Sequence, residues 1–236
     1  VIETFLSYGY GLVIPPLVEY HDSLLSNSSE DLDLQTFKLI DQETGRQLGL
    51  RADITSQIAR INSTYGNLDE INRYCYFDHV VRTNSKDSKG SRIPIQAGAE
   101  LIGNSDIEND VEIVNLMLDV VKIFSEKKIY LDLGHVGIFK KLINSANLKK
   151  EDEKNIKELI KSKSSSEIKK YMNTLHVDNN LKNCICDFPK MHGTIKNILR
   201  DSNNIISFDP AIEDDIKYMV GLCNLINKNH SDVEIK

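Results

Sequence analysis

The eleven residues IPIQAGAELIG, 93–103, set the tightest constraint on what this chain can fold into. Successive side chains of a β-strand point to opposite faces. As a strand, this run puts Ile93, Ile95, Ala97, Ala99 and Leu101 on one side and Gln96, Gly98 and Glu100 on the other. The first set reads as a core surface. The second is a glycine between two hydrogen-bonding groups, a notch floored by backbone and walled by polar side chains. Glycine in mid-strand weakens the strand and marks close approach of a ligand or another backbone. A solvated sheet face also carries Gln and Glu, so this strand alone leaves both readings open.

A strand needs partners, and the flanking segments supply them. RYCYFDHVVRT reads as the paired neighbour, joined through the polar loop NSKDSKGSR. TFKLIDQETGRQLGLRAD reads as two strands with a turn at Glu43, Thr44 and Gly45. YGLVIPPLVEY is a strand broken by Pro15 and Pro16, which places it at a sheet edge or an interface. Two helical patterns accompany these strands, one opening at ADITSQIARI and one over 106–127, and IYLDLGHV follows as a further strand. The simplest architecture is α+β, an antiparallel sheet with helices packed on one face. After about residue 138 the composition turns Lys-, Asn- and Ser-rich with helical spacing, as in EDEKNIKELIKSKSSSEIKKYMNTL. The expected division is therefore a core over 1–138, a small helical insertion with a solvated face over 139–207, and a return helix plus the start of a strand over 208–236. The missing Met start and the stop at Lys236 read as a truncated chain.

Composition narrows the function. With 236 residues, 40% hydrophobic and 27% charged, the chain can bury a sizeable core. Its densest apolar run, VEIVNLMLDVVKIF, is cut by Glu112, Asn115, Asp119 and Lys122 and is too short for a bilayer. No signal-peptide pattern opens the chain, and a cytoplasmic location is expected. A net charge of −6 argues against a nucleic-acid surface spread over the whole molecule while leaving room for a local basic patch. Cys184 and Cys186 are spaced C-x-C with no His pair at ligand spacing. Together with Cys75 and Cys223 they read as free thiols in a reducing compartment, and neither metal nor cofactor is expected.

Asp53 stands before the helix-spaced Ile54, Ile58 and Ile61, and Thr55 follows Ile54. Asp53 sits where an N-cap belongs, a role worth about 1 kcal/mol by itself. Thr55 can be a plain first-turn residue. Arg82 can pair with Asp78 on one strand face, an exposed contact of little value. Taken together, Asp53, Thr55, Arg82, Gln96 and Glu100 fit a zwitterion: arginine forks a carboxylate and acids hold an ammonium. Such a cluster is costly to bury without its ligand, so it should be wet or occupied.

These residues carry a resemblance to the class II aminoacyl-tRNA synthetase core, in particular its histidyl branch. GYGLVIPPLVEY resembles motif 1, the dimer-interface strand, and DHVVRTNSKDSKGSRIPIQAGAELIG resembles motif 2. The steps of 14 residues from Arg82 to Gln96 and 4 from Gln96 to Glu100 match the histidyl enzymes. Closer still is the resemblance to a paralogous family, the regulatory subunits of ATP phosphoribosyltransferase in histidine biosynthesis. TFKLIDQETGRQLGLRADITSQIARI, IQAGAELIG and LDLGHVGIF carry it, and the strong match covers about residues 5–140.

The resemblance implies a class II synthetase-like fold and a binding site without catalytic residues. Asp53 and Thr55 would meet the α-amino group of L-histidine, Arg82 its carboxylate, and Gln96 would lie beside the amino-acid backbone. Glu100 would accept a hydrogen bond from an imidazole nitrogen. The implied role is a non-catalytic regulatory subunit. It would activate the short-form catalytic subunit within a hetero-octamer of four and four chains, contribute to histidine feedback, and self-associate through the motif 1 strand. Neither tRNA nor a membrane is expected as a partner. The sequence also departs from the synthetases. Asn84 stands where they carry an acid, and Lys86, Lys89 and Arg92 replace a run of arginines. The tyrosine-rich histidine loop, motif 3 and an anticodon-binding domain are missing from these residues, the first two being expected beyond Lys236. The alternatives are a fragment of a histidyl-tRNA synthetase and an amino-acid sensor with no phosphoribosyltransferase partner.

Overall fold

The strand pair expected around residues 72–103 is the backbone of the first of two units. The computed structural model describes residues 1–25, 30–67, 69–84, 90–162 and 164–235, divided into Val1–Glu126 and Lys127–Lys236. In chain order the first unit comprises α1 (Ile2–Ser7), β1 (Gly11–Leu12), β2 (Val18–Tyr20), α2 (His21–Leu24), α3 (Glu30–Gln35), β3 (Phe37–Ile40), β4 (Gln47–Leu50), α4 (Thr55–Tyr65), β5 (Asn72–His79), β6 (Ile95–Ile102) and α5 (Ile107–Phe124). Strands β5 and β6 pair antiparallel, with Tyr76 opposite Gly98 and Asp78 opposite Gln96. Strands β2, β4 and β3 form a second, antiparallel sheet. Its β3–β4 turn is fixed by Asp41, which accepts from the Gly45 N–H at 2.8 Å through its carbonyl and from the Thr44 hydroxyl at 2.5 Å through its carboxylate. Gly45 takes φ +70°, a conformation glycine adopts without the Cβ penalty.

Three features of this unit correct the sequence expectations. The first sheet is mixed, because β1 runs parallel to β5 at its edge. Helices cover both of its faces. Cys75, Ala99 and Leu101 pack with Phe5, Tyr10 and Leu116 of the α1–α5 side, while Tyr76 and Val80 pack with Ile54 and Ile58 on the α4 side. The aliphatic face of β6 is core only at its C-terminal half. Ile93 and Ile95 are 55% and 54% exposed, since α5 covers Ala99 and Leu101 and stops short of them. The helix expected over 106–127 is Ile107–Phe124, with Asp106 as its N-cap, Glu108 and Asp110 in its first turn and Lys122 in its last, the charge order that the helix dipole favours. The broken strand YGLVIPPLVEY is β1 and β2, each at the edge of a different sheet. The short helices α1, α2 and α3 carry too few turns to leave a periodic signal.

The second unit is helical. It comprises β7 (Tyr130–Leu131), α6 (Val136–Ser145), α7 (Lys150–Lys161), α8 (Ser165–Met172), α9 (Asn179–Asp187), a 3-10 turn at Phe188–Lys190, α10 (Ile195–Asp201), α11 (Asn203–Phe208), α12 (Ala211–Asn229) and β8 (Glu234–Ile235). The Lys-rich segments are amphipathic and bury one stripe each. Leu142, Ile156, Ile168, Met172, Ile185 and Ile212 form a continuous core. Asp178 caps α9 by accepting from the N–H groups of Asn180 and Leu181. The strand read in IYLDLGHV is only two residues long, paired parallel with β8, because His135 already serves as the N-cap of α6. All four cysteines are free thiols. Among the described residues no helix is long and apolar enough to cross a membrane, and no group of three metal-ligating side chains converges.

Candidate functional site

Helix α4 lies over the polar face of β6, and this leaves an otherwise solvated sheet face half-buried. The residues linking β4 to α4 bring Asp53 over Gln96. One oxygen of Asp53, Oδ1, accepts from Gln96 Nε2 at 2.6 Å and, at 3.4 Å each, from the Thr55 N–H and hydroxyl. The other end of the Gln96 amide accepts from the Ile54 N–H at 3.1 Å. Gln96 is thereby a strap between strand and helix, with both ends of its amide engaged. The N-cap of α4 is Ile54, one residue later than the position expected for Asp53, and Gln96 takes up the N–H group of that residue.

The network continues from Thr55. Its hydroxyl lies 3.2 Å from that of Tyr76, which donates to Glu100 Oε1, also at 3.2 Å. Burial pushes the Glu100 carboxyl above its ordinary range. The hydroxyls of Thr55 and Tyr76 pull the other way, and the negative charge of Asp53 adds to the rise. Burial likewise pushes the Tyr76 phenol up to about 12, so it remains a donor at neutral pH. Asp53, Thr55, Gln96 and Glu100 thus belong to one hydrogen-bonded cluster. Arg82 reaches the same turn from outside it, its Nε donating to the carbonyl of Ala52 at 3.1 Å.

Two residues of this region have parts that the sequence left unassigned. Tyr76, 3% exposed, fills the space over Gly98. A Cβ on that glycine would stand 2.3 Å from the phenol oxygen, so the expected notch is occupied by a ring and the missing side chain makes room for it. The signal was present in the pairing of a tyrosine opposite a glycine, but it needed the register to be visible. Arg51, 1% exposed, is the second. It pairs with Asp78 at 2.7 Å and donates to the carbonyls of His79 and Pro15 at 2.8 and 2.5 Å. The hydrogen bond from Arg51 holds the Asp78 carboxyl below its usual range. Asp78 is therefore committed to Arg51 and not to Arg82, because β5 ends at His79 and Arg82 lies beyond the strand face. Lys86 and Lys89 lie outside the described residues. Arg92 donates through Nε to the Thr83 carbonyl at 2.9 Å.

In the second unit a cavity of about 400 Å³ is lined mainly by apolar side chains such as Ile138, Phe188 and Ile216, with His135 and His192 at its wall. It contains none of the predicted residues. The carboxylate–amide–hydroxyl cluster of the first unit brings two acids and their hydrogen-bonding partners together, chemistry suited to a cationic group and to an N–H donor.

Comparison with known proteins agrees with this architecture. A family model described as histidyl-tRNA synthetase matches residues 1–236. An ATP phosphoribosyltransferase regulatory subunit from Teredinibacter turnerae is 39% identical over 211 residues, 89% of this chain and 53% of the relative. One from Methylococcus capsulatus is 43% identical over 193 residues, 82% and 48% of the two chains. The chain spans about half the length of these curated relatives. Among solved structures, an ATP phosphoribosyltransferase regulatory subunit/histidyl-tRNA synthetase from Bacillus halodurans superposes with TM-score 0.84 at 22% identity, covering 99% of this chain and 60% of that one. An ATP phosphoribosyl transferase (HisG:HisZ) complex from Thermotoga maritima gives 0.64 at 16% identity, with coverage of 99% and 78%. At these identities the structures establish the fold, a class II synthetase-like α+β core. By its family match over the whole sequence and its fold, the chain belongs to the histidyl-tRNA synthetase family.

Proposed function

We propose that this chain is the synthetase-like part of a regulatory subunit of ATP phosphoribosyltransferase, a non-catalytic protein whose pocket holds L-histidine. The observation that carries the reading is the identity of 39–43% to relatives bearing that name across most of this chain. In the pocket, Gln96 and Thr55 hold Oδ1 of Asp53, which aims the second carboxylate oxygen at the α-ammonium group. Arg82, anchored on Ala52, meets the α-carboxylate, and Glu100 accepts from an imidazole N–H. Histidine feedback on a partner requires that one assembly state bind histidine better than the other, since equal affinity shifts nothing. The partner is the short-form catalytic subunit, which this chain activates within a mixed oligomer. The exposed apolar side chains of Leu12 in β1 and Ile14 just after it, the latter 71% exposed, support self-association through that edge.

The test is to mix the full-length protein with the short-form catalytic subunit and measure phosphoribosyltransferase rate and co-elution, with and without histidine. A raised rate that histidine suppresses is expected. Unchanged rates with separate elution would remove the regulatory role. The family model's own description favours a second reading, a histidyl-tRNA synthetase fragment. Asn84, in place of the acid that helps hold adenine in those enzymes, weighs against it. Histidine-dependent ATP–pyrophosphate exchange by the purified protein would restore it.

A further inference from the structure

Glu100 and Asp53 sit at the two ends of one hydrogen-bond chain, and the side chain joining them is one that no sequence motif singled out. We infer that Tyr76 is a positioning residue for the pocket: its hydroxyl engages Oε1 of Glu100 and so presents the other carboxylate oxygen to the ring N–H of the ligand. The inference rests on the reading of the pocket as a histidine site.

Three observations carry it. The Tyr76 ring is buried among Ile54, Ile58 and Val80, where a phenylalanine would pack as well. Its hydroxyl nevertheless lies 3.2 Å from both Thr55 Oγ1 and Glu100 Oε1. A buried phenol needs a partner, and here both partners belong to the cluster assigned to the ligand. The strand opposite carries a glycine where any Cβ would strike this phenol. Mid-strand glycine is a destabilising choice, so the seat of the tyrosine is maintained at the expense of the strand. The glycine makes room for the ring itself; a tyrosine serving only as core needs one partner for its phenol, whereas this hydroxyl lies between two polar side chains of the same cluster.

A hydroxyl bound to a carboxylate favours its charged form. Ligand binding that needs the charged form of Glu100 fails as pH drops through the Glu100 pKa, and removing the hydroxyl moves that failure to higher pH. The groups that act on Glu100 are Asp53 and Thr55 from the turn and α4 and Tyr76 from β5; Tyr10, from the segment before β1, in turn feels the charge of Glu100. None of them changes in Tyr76→Phe except the phenol itself.

The experiment is calorimetric titration of L-histidine into the full-length protein between pH 5.5 and 8, for the wild type, Tyr76→Phe and Glu100→Gln. Tyr76→Phe keeps the ring that fills the space over Gly98 and therefore the fold. It is expected to weaken binding about tenfold, as loss of a hydrogen bond to a charged group does, and to shift the acid limb of the binding profile upward. Glu100→Gln is expected to abolish most of the binding and to flatten that limb. If Glu100→Gln loses binding while Tyr76→Phe keeps wild-type affinity and an unmoved limb, the role of Tyr76 is overturned and the pocket reading stands. If the wild type takes up no histidine, the pocket reading falls and the role of Tyr76 with it.

Discussion

A half-buried carboxylate such as Glu100 lowers the stability of a folded protein whenever it is charged. Burial raises its pKa in the folded state above the unfolded value, so the folded form takes up the proton more readily. Its contribution to stability is most favourable below the unfolded value, about pH 4.3, and declines as pH rises through the folded value. At pH 7 the ligand-free protein therefore carries a cost that Glu100→Gln removes. That variant is expected to melt higher than the wild type at pH 7 without ligand, with the difference closing near pH 4. Melting curves at the two pH values check this, and a lower-melting variant at pH 7 would contradict it. Asp78 has the opposite sign: Arg51 lowers its pKa, so its stabilisation is present above the unfolded value and lost as pH falls through the folded one. Both behaviours depend on which face of the sheet is covered. Residue alternation in IPIQAGAELIG separates Gln96 and Glu100 from the aliphatic positions, but it carries no information about α4 descending onto them. For that reason the burial of Glu100, and the parts played by Tyr76 and Arg51, could not be read from the sequence.

At the scale of elements, the two strands with a loop between them, the β3–β4 turn, α4 and α5 were all legible, because each has a strong period or a turn residue. Their lengths and partners were less so. The parallel pairing of β1 with β5 joins residues about 60 apart in the chain and leaves no local mark. The start of α4 was misplaced by one residue for a related reason. Local sequence offers Asp53 as the cap, whereas a glutamine 43 positions from Asp53 takes over the Ile54 N–H and pins the Asp53 carboxylate. Strand and helix are thus tied by one side chain. Gln96→Ala is expected to cost about 1–2 kcal/mol and to speed amide exchange at Ile54 and Thr55, where the helix begins. Hydrogen-exchange mass spectrometry reads this directly. Unchanged protection of the first turn would show that the strap does not hold it.

On the scale of the whole molecule, the chain joins an α+β unit with a built polar cluster to a helical unit whose core is aliphatic and whose Lys-rich faces are solvated. The resemblance in sequence identified the fold and the family because it rests on several separate stretches, and within the first unit two of them, the one carrying Asp53 and the one carrying Gln96 and Glu100, meet in one hydrogen-bonded cluster. The central claim is that this cluster is an amino-acid pocket specific for histidine. Thermal melting of the full-length protein with and without L-histidine tests it most directly. Ligand at about 100 times its dissociation constant should add about 2.7 kcal/mol to stability, seen as a higher Tm that Asp53→Ala removes and that other amino acids do not reproduce. A Tm that saturating histidine leaves unmoved would contradict the claim.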